Sequence, residues 1–189
     1  MIALFLLACA PRLYSDGDKV WSPPENSWPT ASGLPEGFAA EGFAVGEVVP
    51  ELVGADQFGD EVSLWQFYGD VVILDISTMW CAPCQDLAGD VTETQAHYEA
   101  DGVVYLTVLA QDRDGEAPSV DDLAEWADAF EIAAPIVGDD SDWYLDAVPT
   151  NTFPQLMVLD RELKVSARDL AASDAAIREQ VDALLQAEL

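Results

Sequence analysis

The stretch DVVILDIST, residues 70–78, is almost continuously apolar and rich in β-branched side chains, and only Met79 and Trp80 separate it from Cys81-Ala-Pro-Cys84. A strand of this kind is buried on both faces, so it belongs in the middle of a sheet covered by helices on each side. Pro83 suits an early helical position, where a backbone N–H has no partner to lose. The chain must therefore pass from a central strand straight into a helix that opens on a cysteine pair.

The segments around this point obey the same plan. VVPELVGADQFGDEVSLWQF has short extended runs broken by Gly and Asp, the pattern of a hairpin. One helix is expected from about residue 82 to 100, ending near Asp101-Gly102. VVYLTVLAQ is a second buried strand. Ser119 is a good N-cap for a helix whose Val120, Leu123, Trp126, Ala127 and Phe130 share one face. QLMVLD is a third buried strand, turning at Arg161-Glu162 into KVSAR, and an amphipathic helix carrying Ile177, Val181, Leu184 and Leu185 closes the chain from about Ser173 or Asp174. Strands alternating with helices imply an α/β layered fold with a right-handed crossover.

The cysteine pair has three possible uses. Structural zinc needs four Cys or His ligands, commonly as two spaced pairs, and the chain has three cysteines and one histidine. His97 lies thirteen residues past Cys84 in a polar helical context and reads as a surface residue. A purely structural disulfide over so short a loop removes little chain entropy from the unfolded state. A redox-active pair is the reading that survives, since a CxxC placed after the first buried strand of an alternating strand–helix chain is the arrangement of a thioredoxin-like site. No metal and no cofactor are expected.

Seven basic residues against 36 acidic ones give a formal net charge of −29, which repels nucleic acid and anionic lipid headgroups. The acidic pairs Asp121/Asp122 and Asp139/Asp140 read as solvated faces. Only Lys19 and Lys164 are lysines, a composition that suits solubility in a salty habitat, with a docking face for a basic partner as the alternative reading of the acidity. The opening MIALFLLA spans roughly 12 Å as a helix, too short for a ~30 Å hydrocarbon core. It has the character of the apolar part of a secretory signal, although no basic leader precedes it. Residues 10–44 are dominated by Pro, Gly, Ser and acidic residues without a period, and are expected to form a flexible linker. Trp21 and Trp28 are unusual there, as packing points on the domain or on a partner.

Residues 45–189 resemble the thioredoxin-fold domain of TlpA/ResA-type thiol-disulfide oxidoreductases of the bacterial cell envelope. The likeness rests on GEVVPELVGADQFGDEVSLWQFYGDVVILDISTMWCAPC, with its Gly-x-x-x-Pro opening, Asp-x-x-Gly turn, buried strand and Trp-Cys-x-Pro-Cys, and on FPQLMVLDRELKV, where a cis-proline would begin a strand. Leu6-Leu7-Ala8-Cys9 similarly resembles a lipoprotein lipobox. The resemblance implies a thioredoxin-like fold with an N-terminal hairpin extension and a signal or lipobox over 1–9, with lipidation at Cys9. It also implies a monomer on the periplasmic side that is held by its lipid alone, or else secreted in soluble form. It implies a protein disulfide or thiol as substrate and an upstream electron donor. Phe153 stands where the family usually has Thr or a small β-branched residue.

At the site, Cys81 at the helix start would be the attacking thiolate, favoured by free backbone N–H groups. Cys84, one turn inside, would resolve the mixed disulfide. Asp75 interrupts an apolar strand six residues before Cys81; a buried acid there, its pKa raised by desolvation, could take the Cys84 proton, and the alternative is an Asp that reaches solvent. Pro154 is expected to be cis and to face the pair. Trp80, Pro83 and Phe153 would line the substrate groove, Trp80 having plain core packing as its alternative. Two rivals remain open: a thiol peroxidase of related fold, for which Thr78 stands three residues before Cys81, and a copper-carrying lipoprotein.

Overall fold

The computed structural model describes residues 21–188. The central strand β3 (Val71–Thr78) is buried along its whole length. Its side chains alternate between two core layers, Val72, Leu74 and Ile76 on one face and Val71 and Ile73 on the other. Strand β4 (Val103–Gln111) runs parallel to it with Val103 opposite Val71, and β5 (Ile136–Gly138) lies parallel beyond β4. On the other side β6 (Gln155–Leu159) is antiparallel, with Gln155 opposite Ile76, and β7 (Val165–Arg168) pairs antiparallel with β6. The order β5-β4-β3-β6-β7 gives a mixed five-stranded sheet flanked by helices, the thioredoxin-like α/β fold expected.

The hairpin β1 (Val53–Ala55) and β2 (Glu61–Ser63) forms a separate two-stranded sheet. Asp56 builds its turn by accepting from the backbone N–H groups of Phe58 and Asp60. Gly59 supplies the positive φ of 85° that the turn needs. Asp56 also bridges to Val137, and a Cβ on Gly54 would come within 2.3 Å of the Gly138 carbonyl oxygen, so only glycine lets the hairpin lie this close to β5.

The helix expected over 82–100 is two helices, α1 (Ala82–Ala88) and α2 (Val91–Tyr98), followed by a 3₁₀ turn at Glu99–Asp101. Gly89 is a weak helix former, and Asp90 N–H bonds back only three residues, to Leu87 O at 3.0 Å, which tightens the chain and starts the second helix. Helix α3 (Val120–Phe130) begins at the capping box of Ser119 and Asp122, as its sequence suggests. Leu123 and Trp126 are buried, but Val120, at the first helical position, is 38% exposed and lies off the packed face. Helix α5 (Asp174–Ala187) is capped by Ser173 and buries Ile177 and Val181. Strand β5 and the one-turn helix α4 (Tyr144–Ala147) were not expected; both are too short to show a period.

Residues 21–44 have no helix or strand. The segment expected to be a flexible linker is, from residue 21 onward, laid against the hairpin side of the domain. Asn26 Nδ2 donates to Glu61 O, Trp28 Nε1 donates to Asp56 Oδ2 at 2.7 Å, and the Phe38 ring meets Trp65 and Tyr68 edge-on. Polar and aromatic anchors spaced along an irregular chain produce this strap, and they carry no periodic signal.

Candidate active site

Strand β3 ends at Thr78, and the chain turns through Met79 and Trp80 into α1. Cys81 is the N-cap, with extended backbone, and its Sγ accepts a hydrogen bond from Cys84 N–H at 3.2 Å. Pro83 sits in the first turn. Cys81 and Cys84 are joined as a disulfide, with Cα atoms 5.2 Å apart. Cys81 retains 5% exposure and Cys84 none. The N-cap is thus less open than a free helix end, yet Cys81 is the sulfur-bearing residue on the solvent side. An N–H directed at Cys81 Sγ stabilises negative charge there and leaves Cys84 Sγ beneath it.

Asp75 is 1% exposed, so the solvent-reaching alternative does not hold. It shares strand parity with Val71 and Ile73, whose layer contains Cys81, Cys84, Leu87 and Ala88. Its carboxyl is pushed up to about 7 by burial, which outweighs the lowering effect of neighbouring hydroxyls. Ser77 Oγ donates to Asp75 Oδ1 at 2.6 Å. Tyr105 and Thr107, on the neighbouring strand β4, are buried; the Tyr105 hydroxyl is one of those that lower Asp75, and the Thr107 hydroxyl has no hydrogen-bond partner among the described residues. A carboxyl that titrates near neutrality can hold or release a proton at working pH.

The rim is aromatic. Trp80 is 48% exposed. Its ring stands perpendicular to Phe153 with centroids 5.8 Å apart. The Phe153–Pro154 peptide is cis, and the next residue, Gln155, pairs with Ile76 near the end of β3 that leads to the cysteines. Phe153 packs on both core layers. His97 is exposed on α2 and stacks edge-on against Tyr98. Among the described residues, no group of three or more His, Cys, Asp or Glu is placed to hold a metal ion. Cys9 lies outside the described residues, and no described helix is long and apolar enough to cross a membrane.

A family model described as the AhpC/TSA family matches residues 45–168. The chain belongs to the AhpC/TSA family. Among curated relatives it is 31% identical over 122 residues to the thiol-disulfide oxidoreductase ResA of Geobacillus thermodenitrificans, an alignment that covers 65% of this chain and 67% of that one. Among solved structures it resembles the thioredoxin domain of a thiol-disulfide oxidoreductase from Bacteroides vulgatus, with a TM-score of 0.63 at 22% identity, covering 75% of this chain and 98% of that one. A thiol:disulfide interchange protein from Bacteroides sp. matches with a TM-score of 0.64 at 22% identity over 76% of this chain and 91% of that one. Both structural likenesses concern the thioredoxin-like fold.

Several polar residues of this AhpC/TSA member were not singled out in the sequence. Tyr105 and Thr107 stand out only as two hydroxyls within the aliphatic strand VVYLTVL. Gln111 and Tyr144 reach the rim through contacts distant in the chain. Asp139, read as solvated, is 2% exposed. Its carboxylate accepts from Ser141 N–H, Ser141 Oγ, Trp143 N–H and Tyr144 N–H, and these donors replace water around the charge. Asp139 thereby fixes the loop that carries α4.

Proposed function

We propose that this chain, a thiol-disulfide oxidoreductase of the ResA type, reduces disulfides of protein partners through Cys81 and Cys84 at the bacterial cell envelope. The observation that carries the reading is the Cys81–Cys84 bond at the start of α1, above a buried carboxyl that titrates near neutrality. In the reduced protein the Cys81 thiolate attacks one sulfur of a partner disulfide. A Cys81–partner bond forms, and the partner's other sulfur leaves as a thiolate. Asp75 then takes the Cys84 proton, and the Cys84 thiolate attacks Cys81 Sγ, closing the enzyme disulfide and expelling the second partner thiolate. Two electrons pass from the enzyme dithiol to the partner, whose two sulfurs each pick up a proton. An upstream dithiol donor reverses the change in the enzyme.

The direction of flow is tested by equilibrating the Cys81/Cys84 couple against glutathione. A reductant is expected near thioredoxin, about −270 mV, and a value near that of a strong oxidant, about −120 mV, would reverse the assignment. The reduced protein is also expected to leave hydrogen peroxide unconsumed, the outcome that separates it from the peroxidase that Thr78 suggests.

The envelope location rests on Leu6-Leu7-Ala8-Cys9 and on the kinship with ResA. Lipidation of Cys9 would hold the domain at the membrane surface by its acyl chains. Cys9→Ser is expected to move the protein from the membrane to the soluble fraction of the source cell. Retention of the variant in the membrane fraction would refute the anchor.

A further inference from the structure

Trp80 exposes almost half its surface, yet it is held on two sides. Its indole Nε1–H donates to Gln111 Oε1 at 3.0 Å, and its ring abuts Phe153. Gln111 in turn donates through Nε2 to Tyr144 Oη at 3.1 Å. The Tyr144 ring lies 5.9 Å from that of Phe153, so Trp80, Gln111, Tyr144 and Phe153 close a ring of four side chains. Four separate parts of the chain contribute: the turn into α1, the end of β4, α4 and the loop before β6.

Two backbone features serve this ring. The pairing of β3 with β4 steps from Ser77–Leu109 to Thr78–Gln111, so one extra residue, Ala110, is inserted into β4. A bulge of this kind re-aims the residue that follows, and it directs Gln111 toward the site. Tyr144 is fixed in its turn, because its backbone N–H is held by the buried Asp139 carboxylate at 2.7 Å.

We infer that Gln111 and Tyr144 are positioning residues that pin the Trp80 indole against Phe153 as a preformed wall for the polypeptide on either side of a partner disulfide. An exposed indole free to change rotamer would have to be ordered at each encounter, and a pinned one is already in place. A polypeptide gains from such a wall, whereas a small free disulfide, with no chain beyond its sulfurs, does not. This specificity role rests on the proposed disulfide exchange.

The test uses the full chain, pre-reduced, in single-turnover mixing with two disulfides, insulin and 2-hydroxyethyl disulfide. The two electrons that reduce each disulfide are those released when Cys81 and Cys84 close their bond, and Cys9→Ser is the background for every variant. Gln111→Ala removes the link, and Tyr144→Phe removes only the hydroxyl while keeping the ring. Both variants are expected to raise the half-saturating insulin concentration about threefold to tenfold. The limiting rate with insulin and the rate with 2-hydroxyethyl disulfide should stay within about twofold, as a preformed wall aids capture rather than chemistry. Hydrogen exchange of the Trp80 indole N–H, assigned by its loss in Trp80→Phe, should speed up in both. Unchanged half-saturation, or equal slowing with both disulfides, in variants of an active parent would overturn the positioning role alone. A parent inert toward both disulfides would overturn the proposed exchange and this role with it.

Discussion

Cys84→Ser is expected to abolish turnover and to leave the protein covalently joined to its partner through Cys81. Exposure separates the two sulfur-bearing residues only slightly, 5% against none, so position decides. Cys81 is the N-cap, where Cys84 N–H points at its sulfur and a partner can approach from outside. Cys84 is enclosed by its own helix turn and faces the core layer of Leu87, Ala88 and Val91. An outside disulfide therefore meets Cys81 first, and Cys84 can attack only inward. With serine at 84 the first exchange still occurs, but no thiolate remains to release the partner. Cys81→Ser leaves the enclosed thiol alone and should trap little. Expressing both variants in the source cell, quenching with acid, alkylating free thiols and comparing adducts on non-reducing gels gives the answer. Adducts on Cys81→Ser alone would reverse the roles, and adducts on neither would argue against disulfide exchange. The trapped partner identifies the substrate.

Much of this site was legible because its signals are local. Strands β3 and β4 are buried on both faces, and such strands leave continuous apolar runs. Asp75 was conspicuous because a charge inside such a run needs a reason to be there, and Pro154 because it immediately precedes a buried strand. Ser119 and Ser173 announced their helices through capping chemistry that acts over three residues. The features that escaped are short or non-local. Strand β5 has three residues and α4 has four, too few for a period. The break at Gly89 separates two helices that share one apolar pattern. Asp139 reads as a surface acid until the loop folds four donors around it. The Trp80–Gln111 link joins residues 31 apart, and it depends on a bulge that nothing in VVYLTVLAQ foretells. The strap over 21–44 was hidden for the same reason, since its anchors meet Asp56, Glu61, Trp65 and Tyr68, all distant in the chain.

Asp75→Asn is expected to separate stability from function in opposite directions, and pH is the variable that shows it. The Asp75 carboxyl titrates at about 7 in the folded chain against 3.8 for an ordinary aspartate, with burial as the leading cause. The folded state therefore keeps a proton that the unfolded chain gives up, and the group's stabilising contribution is complete below about pH 4. It is lost progressively as pH rises toward 7, and no further above that. A proton held at about 7 rather than 3.8 corresponds to about 4 kcal/mol. Asparagine keeps the shape without the charge, so the variant should exceed the parent in stability at pH 8 by up to about 4 kcal/mol, with the difference closing toward pH 4. Urea titrations at the two pH values measure this. The chemistry should suffer where the fold gains. In the proposed exchange ionised Asp75 accepts the Cys84 proton, while Tyr105, pushed well above its ordinary value by burial and then by the Asp75 charge, stays protonated. In the parent, release of the trapped partner should accelerate as pH rises through about 7. In Asp75→Asn that rise should vanish, leaving release about a hundredfold slower at pH 8, the scale of a lost general base. A variant whose pH–rate profile overlays the parent's would remove Asp75 from the resolving step, and equal stability at pH 8 would show that its burial carries no charge.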